Sequence, residues 1–233
     1  MSNLVSIILP VHNQEDHINQ VVEELLVALK RLPDQHELIL VPNACRDRSL
    51  DICNELSNRF ENVRTHAIAD RGGWGLAVRH GIEQASGNVI CYSNSARTAP
   101  EVLLLALMYG AAYPEVVIKV NRKIRDGWQR RLGSLLFNLE CRAFFDLPTW
   151  DINGTPKLFP RKFGHLLNLT RDDDLIDAEF NAICRRQGYP IIEIPILQND
   201  RHGGKSTTTY KSAVRMYWGA FQLWQTMRQQ GTV

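Results

Sequence analysis

The stretch GNVICYSNSARTAPE, residues 87–101, decides the fold of this chain. Within it, residues 89–92 form a short apolar run between a glycine and a polar turn, which predicts a buried strand. Pro100 then stands at a good helix start, with an acidic residue beside it and an apolar run behind it. In an open α/β sheet, ligands bind in the crevice beyond the carboxyl ends of the strands. We therefore expect the binding site at Asn94, Ser95 and Ala96 of the turn.

Strands and helices alternate along the rest of the chain. Apolar runs predict further strands at residues 4–9, 37–41, 63–68, 115–120 and 189–197. Helical spacing and end signals predict one helix after Asn13, one that ends at residue 85 and one that begins at residue 100. They also predict helices that span residues 49–60, 130–145, 175–187 and 210–227. This order predicts an α/β fold with a mostly parallel sheet and right-handed crossovers.

Composition narrows the class of protein. A chain of 233 residues, 44% hydrophobic and 22% charged, can bury one full core, and its net charge of +2 argues against a broad nucleic-acid surface. The five cysteines are odd in number and form no Cys-x-x-Cys pair, which favours reduced thiols in the cytoplasm. Because no run approaches the roughly 20 apolar residues of a membrane span, we expect a soluble or membrane-peripheral protein without a signal peptide.

Residues 87–101, taken with SIILPVHNQE at residues 6–15, resemble the family 2 glycosyltransferases of GT-A fold. The resemblance is strongest to the polyprenyl-phosphate (dolichol-phosphate) sugar transferases and covers the chain from Val5 to about Lys211. It implies a single GT-A, Rossmann-like domain over residues 1–209, followed by a helix at 210–233. It also implies inverting transfer of a hexose from a nucleotide-diphospho-sugar to an acceptor such as a polyprenyl phosphate.

The acidic motif of the resembling family is missing. The family carries Asp-x-Asp at the end of the central strand, where it binds the metal that holds the diphosphate; here those places are taken by Asn94, Ser95 and Ala96. Gln14 stands where the family often has Glu. The resemblance thus implies Mg²⁺ or Mn²⁺, whereas neutral oxygens predict poor metal affinity and no metal-ligating residue. No organic cofactor is expected.

The resemblance assigns the nucleotide to the ends of the first strands. Asn43 replaces an aspartate that contacts the base, and its amide offers donors and an acceptor. Asp47 is better explained as a helix cap than as a ligand. The glycine-rich loop at residues 72–75 either holds a phosphate on its amides or is only a tight loop. The residues assigned to the nucleotide and its phosphates at these ends are Pro10, His12, Asn13, Gln14, Asn43, Asn94 and Ser95.

Basic residues are expected on the phosphates. The resembling enzymes place arginines at Arg122 and Arg131, and a planar guanidinium suits bidentate phosphate binding. A solvated helix face is the alternative for this basic run. Lys157 belongs to a segment that resembles the family, and Arg201 and Lys205 flank a glycine pair whose flexibility would let two cations close on a diphosphate.

Three carboxylates are the candidate catalytic groups: Asp151, Asp177 and Glu179. Asp151 either lies beside the acceptor pocket or only fixes its loop or pairs with Lys157. Asp177 and Glu179 match an acidic segment near the family's acceptor site, or else face solvent and pair with arginines later in the same helix. An alcohol acceptor would need one of them as general base, whereas a lipid phosphate is already anionic and needs mainly positioning.

The helix at 210–227 carries an aromatic stripe with basic flanks. Such a stripe packs onto its own domain, packs onto a second copy in a homodimer, or lies in a membrane interface. Two functional hypotheses follow from the whole sequence. The first is an active glycosyltransferase whose metal is absent or is held by the substrate; the second is a catalytically silent relative that binds a nucleotide-sugar or a lipid phosphate.

Overall fold

The computed structural model describes residues 4–123, 128–197 and 210–229, and for 128–131 and 210–214 the course of the backbone only. Helices and strands alternate as the sequence predicts. In chain order the elements are β1 (Leu4–Val11), α1 (Ile18–Leu29), β2 (Gln35–Pro42), α2 (Ser49–Arg59), β3 (Val63–Thr65), α3 (Trp74–Gln84), β4 (Val89–Tyr92), α4 (Pro100–Ala112), β5 (Val117–Arg122), α5 (Trp128–Phe145), β6 (Lys157–Pro160), a 3-10 helix (Gly164–Leu167), α6 (Ile176–Gln187), β7 (Ile191–Ile196) and α7 (Tyr210–Gln229).

The described strands form one seven-stranded sheet in the order β3-β2-β1-β4-β6-β5-β7. Strand β1 runs parallel to β2 and β4, β2 parallel to β3, and β5 parallel to β7. Strand β6 is antiparallel to both of its neighbours, β4 and β5. The predicted α/β class with a mostly parallel sheet is therefore confirmed, although β6 was not predicted.

Successive residues of the central strands point to opposite faces of the sheet. In β1, Ile7 and Leu9 join a core with α1, α2 and α4, whereas Ile8 joins a second core with α3 and α6. Ile7 and Ile8 are fully buried, and the burial of each such side chain contributes about 1.5–3 kcal/mol to the stability of the fold. Because both faces of the sheet are covered, the apolar runs of β1 and β2 are continuous rather than alternating.

Helix α7 packs onto the domain. The Tyr217 hydroxyl donates to the Gly133 carbonyl of α5 at 2.7 Å, and the Trp224 ring stacks on Phe144 with centroids 5.4 Å apart. Ala220 and Leu223 of α7 are buried in a third core with α5 and α6. Most of the predicted aromatic stripe thus packs against α5 and α6 of the same chain.

The start of α1 differs from the prediction, and the start of α2 agrees with it. Helix α1 begins at Ile18 rather than near Asn13, whose φ of 49° is left-handed and incompatible with a helix. At α2, the Asp47 carboxylate accepts the Ser49 backbone N–H at 3.0 Å, as expected of a residue that caps a helix start.

Candidate functional site: a crevice at the strand ends

The candidate site is the edge of the sheet where β1, β2 and β4 end, and we call it the crevice after the place where open α/β sheets bind ligands. Because the three strands are parallel neighbours, the residues that follow them meet at one edge of the sheet. The Ser95 hydroxyl lies 2.7 Å from the Pro10 carbonyl, and His12 Nδ1 lies 2.7 Å from the Asn43 carbonyl. The structure therefore brings the loops after these three strands into contact with one another.

Ser95 and Gln14 form a clasp between the ends of β4 and β1. The Ser95 hydroxyl lies 2.9 Å from Gln14 Oε1 in addition to its contact with Pro10, and both side chains are buried. A hydroxyl has one proton to donate, and we assign the Ser95 proton to the Pro10 carbonyl. The Gln14 amide is then turned by 180°, so that its NH₂ group donates to the Ser95 oxygen. The Gln14 backbone N–H donates to the Ser49 hydroxyl at 2.7 Å. The oxygens at this position are thus engaged within the protein.

The remaining oxygens of the turn after β4 also have protein partners. Asn94 Oδ1 accepts the Ala96 backbone N–H at 3.0 Å, and the Ser93 hydroxyl donates to Thr98 Oγ1 at 2.7 Å. Ser93 is almost fully buried and was not among the predicted site residues. In the sequence, the one feature that could have pointed to Ser93 as a site residue is its hydroxyl group, two residues before Ser95.

This oxygen set does not fit a tightly bound divalent cation. Mg²⁺ and Mn²⁺ prefer carboxylates, whereas Ser93, Asn94 and Ser95 offer neutral oxygens that already accept or donate hydrogen bonds. Among residues 4–123, 128–197 and 210–229, no group of three or more His, Cys, Asp or Glu side chains could hold a metal ion. The structure gives no basis for a step that depends on protein-bound metal.

Asn43 links the end of β1 to the glycine loop. Its buried amide donates to the Val11 carbonyl at 2.9 Å and accepts the Gly73 backbone N–H at 3.1 Å. Binding a base through Asn43 would therefore require exchange of these contacts. His12 and Asn13 are exposed and lie 3.3 Å apart through Nε2 and Nδ2, so both are accessible polar groups at this end.

The glycine-rich loop is tightly packed. The Leu76 backbone N–H donates to the Asp172 carbonyl at 2.9 Å, so the start of α3 is occupied by a protein carbonyl. A Cβ atom at Gly73 or Gly75 would collide with the carbonyls of Asp172 and Arg171 respectively. The glycines are needed for this close approach, which favours the tight-loop interpretation over phosphate binding.

A buried ion pair lies directly beneath the end of β4. Lys157 Nζ pairs with Asp177 Oδ1, and neither side chain is exposed beyond 5%. The Tyr92 hydroxyl donates to Asp177 Oδ1 at 2.9 Å, and the Trp74 indole N–H donates to Oδ2 at 3.1 Å. Burial lowers the pKa of Lys157, and the charge of Asp177 opposes that effect. Burial and Asp177 together raise the pKa of Tyr92 well above its usual value.

A second buried lysine was missed by sequence reasoning. Lys119 of β5 lies beside Lys157 in the register of β5 and β6. Its ammonium group is 3.0 Å from Asn181 Oδ1 and 3.3 Å from Glu193 Oε1. Burial, and then the charge of Lys157, lower the pKa of Lys119 to about 8. The signal in the sequence was a lysine inside the apolar run VVIKV.

Asp151 holds Arg122 at the end of β5. Arg122 Nε and Nη2 donate to the two Asp151 oxygens at 2.7 and 2.8 Å, and the Arg122 backbone N–H adds a third bond at 3.0 Å. Burial lowers the pKa of Arg122, but the hydrogen bonds and charge of Asp151 outweigh it and leave the pKa raised. Asp151 thus forms a salt bridge with Arg122, whereas Lys157 pairs with Asp177.

Glu179 and Asp177 are buried, so the alternative that both face solvent is wrong. The Glu179 carboxylate accepts the backbone N–H groups of Thr170 at 3.0 Å and Arg171 at 2.9 Å. These bonds hold the loop that closes on the start of α3. Glu179 therefore has a structural task that its sequence context did not reveal.

Three predicted cations cannot be placed. Arg201 and Lys205 lie outside the described residues, and so does the side chain of Arg131. Their role at the phosphates stays a prediction.

The chain belongs to glycosyl transferase family 2, whose profile matches residues 6–166. It is similar to the undecaprenyl-phosphate 4-deoxy-4-formamido-L-arabinose transferase of Proteus mirabilis (strain HI4320), with 30% identity over 217 residues that make up 92% of this chain and 65% of the relative. The protein of the same name from Pseudomonas fluorescens (strain Pf0-1) is 28% identical over 213 residues, covering 87% of this chain and 59% of that one. The chain thus spans less than two thirds of the length of these relatives.

Solved structures share the fold. Glucosyl-3-phosphoglycerate synthase from Mycobacterium tuberculosis, crystallised with Mn²⁺, UDP and glucosyl-3-phosphoglycerate, superposes with a TM-score of 0.71 at 14% identity, covering 99% of this chain and 81% of that one. The same enzyme with Mg²⁺ and UDP gives 0.70, again at 14% identity, over 99% of this chain and 80% of that one. At this identity the likeness shows the GT-A fold alone. In the described part of the chain, none of the helices has the length and apolar content to cross a bilayer.

Proposed function

We propose that this chain is a glycosyltransferase that moves a sugar from a nucleotide-diphospho-sugar to a polyprenyl phosphate. The observation that carries the proposal is the contact between the loops that follow β1, β2 and β4 in a family 2 chain. Relatives over about nine tenths of the chain are named for transfer to undecaprenyl phosphate. Those names specify a modified arabinose, which is a pentose, so a hexose is not part of the proposal.

The state of the three candidate carboxylates favours an anionic acceptor. Asp151 is engaged by Arg122, Asp177 by Lys157, and Glu179 by backbone N–H groups. Each would have to give up these contacts to accept a proton as a general base. A phosphate acceptor avoids this need, since its oxygen is already a nucleophile. That oxygen forms the bond to the anomeric carbon while the bond to the departing diphosphate breaks, without a proton transfer.

Charge compensation for the diphosphate falls to cations in this proposal. Arg122, pre-oriented by Asp151, supplies one fixed guanidinium at the β5 end. Arg131, Arg201 and Lys205 are proposed as further phosphate ligands on the strength of the family resemblance. His12, Asn13, Asn43 and the turn at Asn94 are proposed to line the nucleotide side, and any Mg²⁺ or Mn²⁺ would be held by the substrate phosphates.

A catalytically silent relative is the second candidate. The clasp between Ser95 and Gln14 favours it, because the oxygens that would coordinate a metal hold β1 and β4 together instead. Such a protein would bind a nucleotide-sugar or a lipid phosphate without turnover.

Calorimetric titration with UDP-, GDP- and CDP-sugars, each with Mg²⁺, Mn²⁺ or EDTA, tests both candidates. We expect one nucleotide-sugar to bind and EDTA to leave its affinity unchanged. A transfer assay with that donor and undecaprenyl phosphate in detergent then separates them, since the silent relative binds without forming a glycolipid. If none of the nucleotide-sugars binds under any condition, the transferase proposal is wrong.

A further inference from the structure

Glu193 of β7 holds the loop that carries Asp151. Its carboxylate accepts the backbone N–H of Trp150 at 3.1 Å and that of Asp151 at 3.3 Å. The Asn121 amide adds a bond to Oε2 at 3.3 Å. The Glu193 side chain is 17% exposed, so the carboxylate is largely shielded from water. Residues 150 and 151 are therefore fixed to β7 by one side chain.

Asp151 in turn holds Arg122. Its carboxylate accepts the Arg122 backbone N–H together with Nε and Nη2 of the side chain. A guanidinium held in this bidentate way needs both carboxylate oxygens in one plane with its donors. Any shift of residues 150 and 151 would therefore disturb the pair. Glu193 thus acts on the orientation of Arg122 through the backbone of this loop.

Lys119 supplies the counter-charge of Glu193. The two residues are partners in the parallel register of β5 and β7. The Lys119 ammonium lies 3.3 Å from Glu193 Oε1 and 3.0 Å from Asn181 Oδ1. Because Lys119 is fully buried, solvent screens its attraction to Glu193 only weakly.

The charges around Lys119 are balanced. Six side chains form three ion pairs, with three charges of each sign, and we call them the charge network: Lys119, Arg122, Lys157, Asp151, Asp177 and Glu193. Burial, and then the charge of Lys157, lower the pKa of Lys119 to about 8. The charges of Glu193 and Asp151 oppose this change, and the charge of Lys119 also acts on the buried Cys184 thiol of α6. Loss of the Lys119 proton would leave the network with one net negative charge.

We propose that Glu193 is a positioning residue that aims the Arg122 guanidinium at a phosphate, and that protonated Lys119 keeps Glu193 in this role. The phosphate rests on the proposed function, whereas the positioning of Arg122 does not. An uncompensated buried carboxylate is costly, so Glu193 turns towards solvent and releases the loop once Lys119 loses its proton. Arg122 is then held in one orientation below about pH 8 and becomes mobile above it.

Rotation of the Arg122 guanidinium about its Nε–Cζ bond tests the proposal without a ligand. A guanidinium held through Nε and Nη2 rotates slowly and gives two separate Nη signals in carbon-detected nitrogen NMR, which Arg122→Lys assigns. We expect slow rotation in the wild type at pH 7 and faster rotation as the pH rises through about 8. In Glu193→Gln, rotation at pH 7 should be faster by about tenfold or more, the factor expected when a hydrogen bond to a charged group is lost. In Lys119→Met the change near pH 8 should disappear.

Glu37 and Arg161 supply a matched control. Glu37 is buried and accepts the Ser86 backbone N–H at 2.8 Å, while Arg161 Nε donates to the carbonyl of the next residue at 2.7 Å. Glu37→Gln should therefore leave the Arg122 signals unchanged, and Glu193→Gln should leave those of Arg161 unchanged. A general loosening of the fold would instead free both guanidinium groups in either variant.

Three results would each overturn the proposal. Arg122 could stay held at pH 7 in Glu193→Gln, it could be freed equally by Glu37→Gln, or it could rotate at the same rate in the wild type at pH 7 and pH 9. Melting temperatures show whether the variants are folded. The wild-type pH series needs no substitution, so it decides the matter even where a variant unfolds.

Calorimetric titration with pyrophosphate connects the positioning to the proposed function. The wild type should bind pyrophosphate at pH 7 about tenfold or more tightly than Glu193→Gln, because the variant must order Arg122 on binding. This advantage should shrink above pH 8. If the wild type does not bind pyrophosphate, the assignment of phosphate to Arg122 is wrong, whereas the rotation of the guanidinium still decides whether Glu193 positions it.

Discussion

Arg122 and Asp151 form a bidentate pair at the carboxyl end of β5, with hydrogen bonds of 2.7 and 2.8 Å. The Asp151 side chain is 2% exposed and that of Arg122 19% exposed. Such a pair orients the guanidinium, since both of its donors on one edge are fixed. Arg122 is therefore held in one geometry before any phosphate arrives.

Asp151→Asn should destabilise the protein by about 3–5 kcal/mol, because it leaves a largely buried guanidinium without its counter-charge. Urea unfolding measures this change. The exposed pair between Arg59 and Glu23 offers a matched control: Glu23→Gln should cost less than about 1 kcal/mol. Equal, small effects of the two variants would show that the Arg122 pair is no more than a surface salt bridge.

The local parts of the fold could be predicted from the sequence. The β4 run and the proline-led start of α4 are decided by neighbouring residues, and the structure confirms both. Strand β6 could not be predicted, because it has four residues that end in a proline and lies in a segment rich in turn formers. Its place between β4 and β5 is a long-range property of the sheet.

The position of β6, which was not predicted, decides the partners of the charged residues. Because β6 is inserted between β4 and β5, Lys157 lies beside Tyr92 on one side and Lys119 on the other. Asp151 is left to pair with Arg122. The sequence shows which residues are charged, but pairing depends on strand order, and so the partner of each candidate carboxylate could not be derived from spacing.

The crevice should gain a metal site when two carboxylates are restored. Ser95 and Gln14 are within 2.9 Å of each other, so Gln14→Glu/Ser95→Asp places two carboxylates where neutral groups now form the clasp. Without metal the variant should melt at a lower temperature than the wild type, because two buried like charges repel. Mn²⁺ should raise its melting temperature and leave that of the wild type unchanged.

Electron paramagnetic resonance of Mn²⁺ measures the same difference directly as loss of the free-ion signal. Tight Mn²⁺ binding by the wild-type chain alone would contradict our interpretation of the clasp. An unchanged signal with the variant would show that the two side chains do not converge on a common point.

Lys157 and Asp177 should behave as a coupled buried pair. Lys157→Met removes the cation and leaves Asp177 uncompensated, at an expected cost of about 3–5 kcal/mol. Adding Asp177→Asn removes the unpaired charge while its amide oxygen can still accept from Tyr92 or Trp74. The double variant should therefore be more stable than Lys157→Met alone, as measured by urea unfolding. Additive losses would argue against direct coupling between the two groups.

Four buried thiols should stay unreactive in the folded protein and weaken it at alkaline pH. Burial raises the pKa of Cys53 and Cys184 to about 12, and it also raises the pKa values of Cys91 and Cys141. In the unfolded chain these thiols ionise near pH 9.0. Above that pH the folded state keeps these thiol protons while the unfolded state loses them, so the contribution of the thiols to the free energy of unfolding falls as pH rises from about 9 towards 12.

Ellman's reagent and urea titrations check this prediction. Cys45 is the partly exposed member of the five free cysteines, so one thiol should react quickly at pH 8 and four only as the protein unfolds. The difference in unfolding free energy between Cys184→Ala and the wild type should shift in favour of the variant between pH 9 and 11, whereas Cys45→Ala, at the accessible position, serves as the control. Rapid reaction of all five thiols in the native protein would mean that the three cores open far more readily than their burial implies.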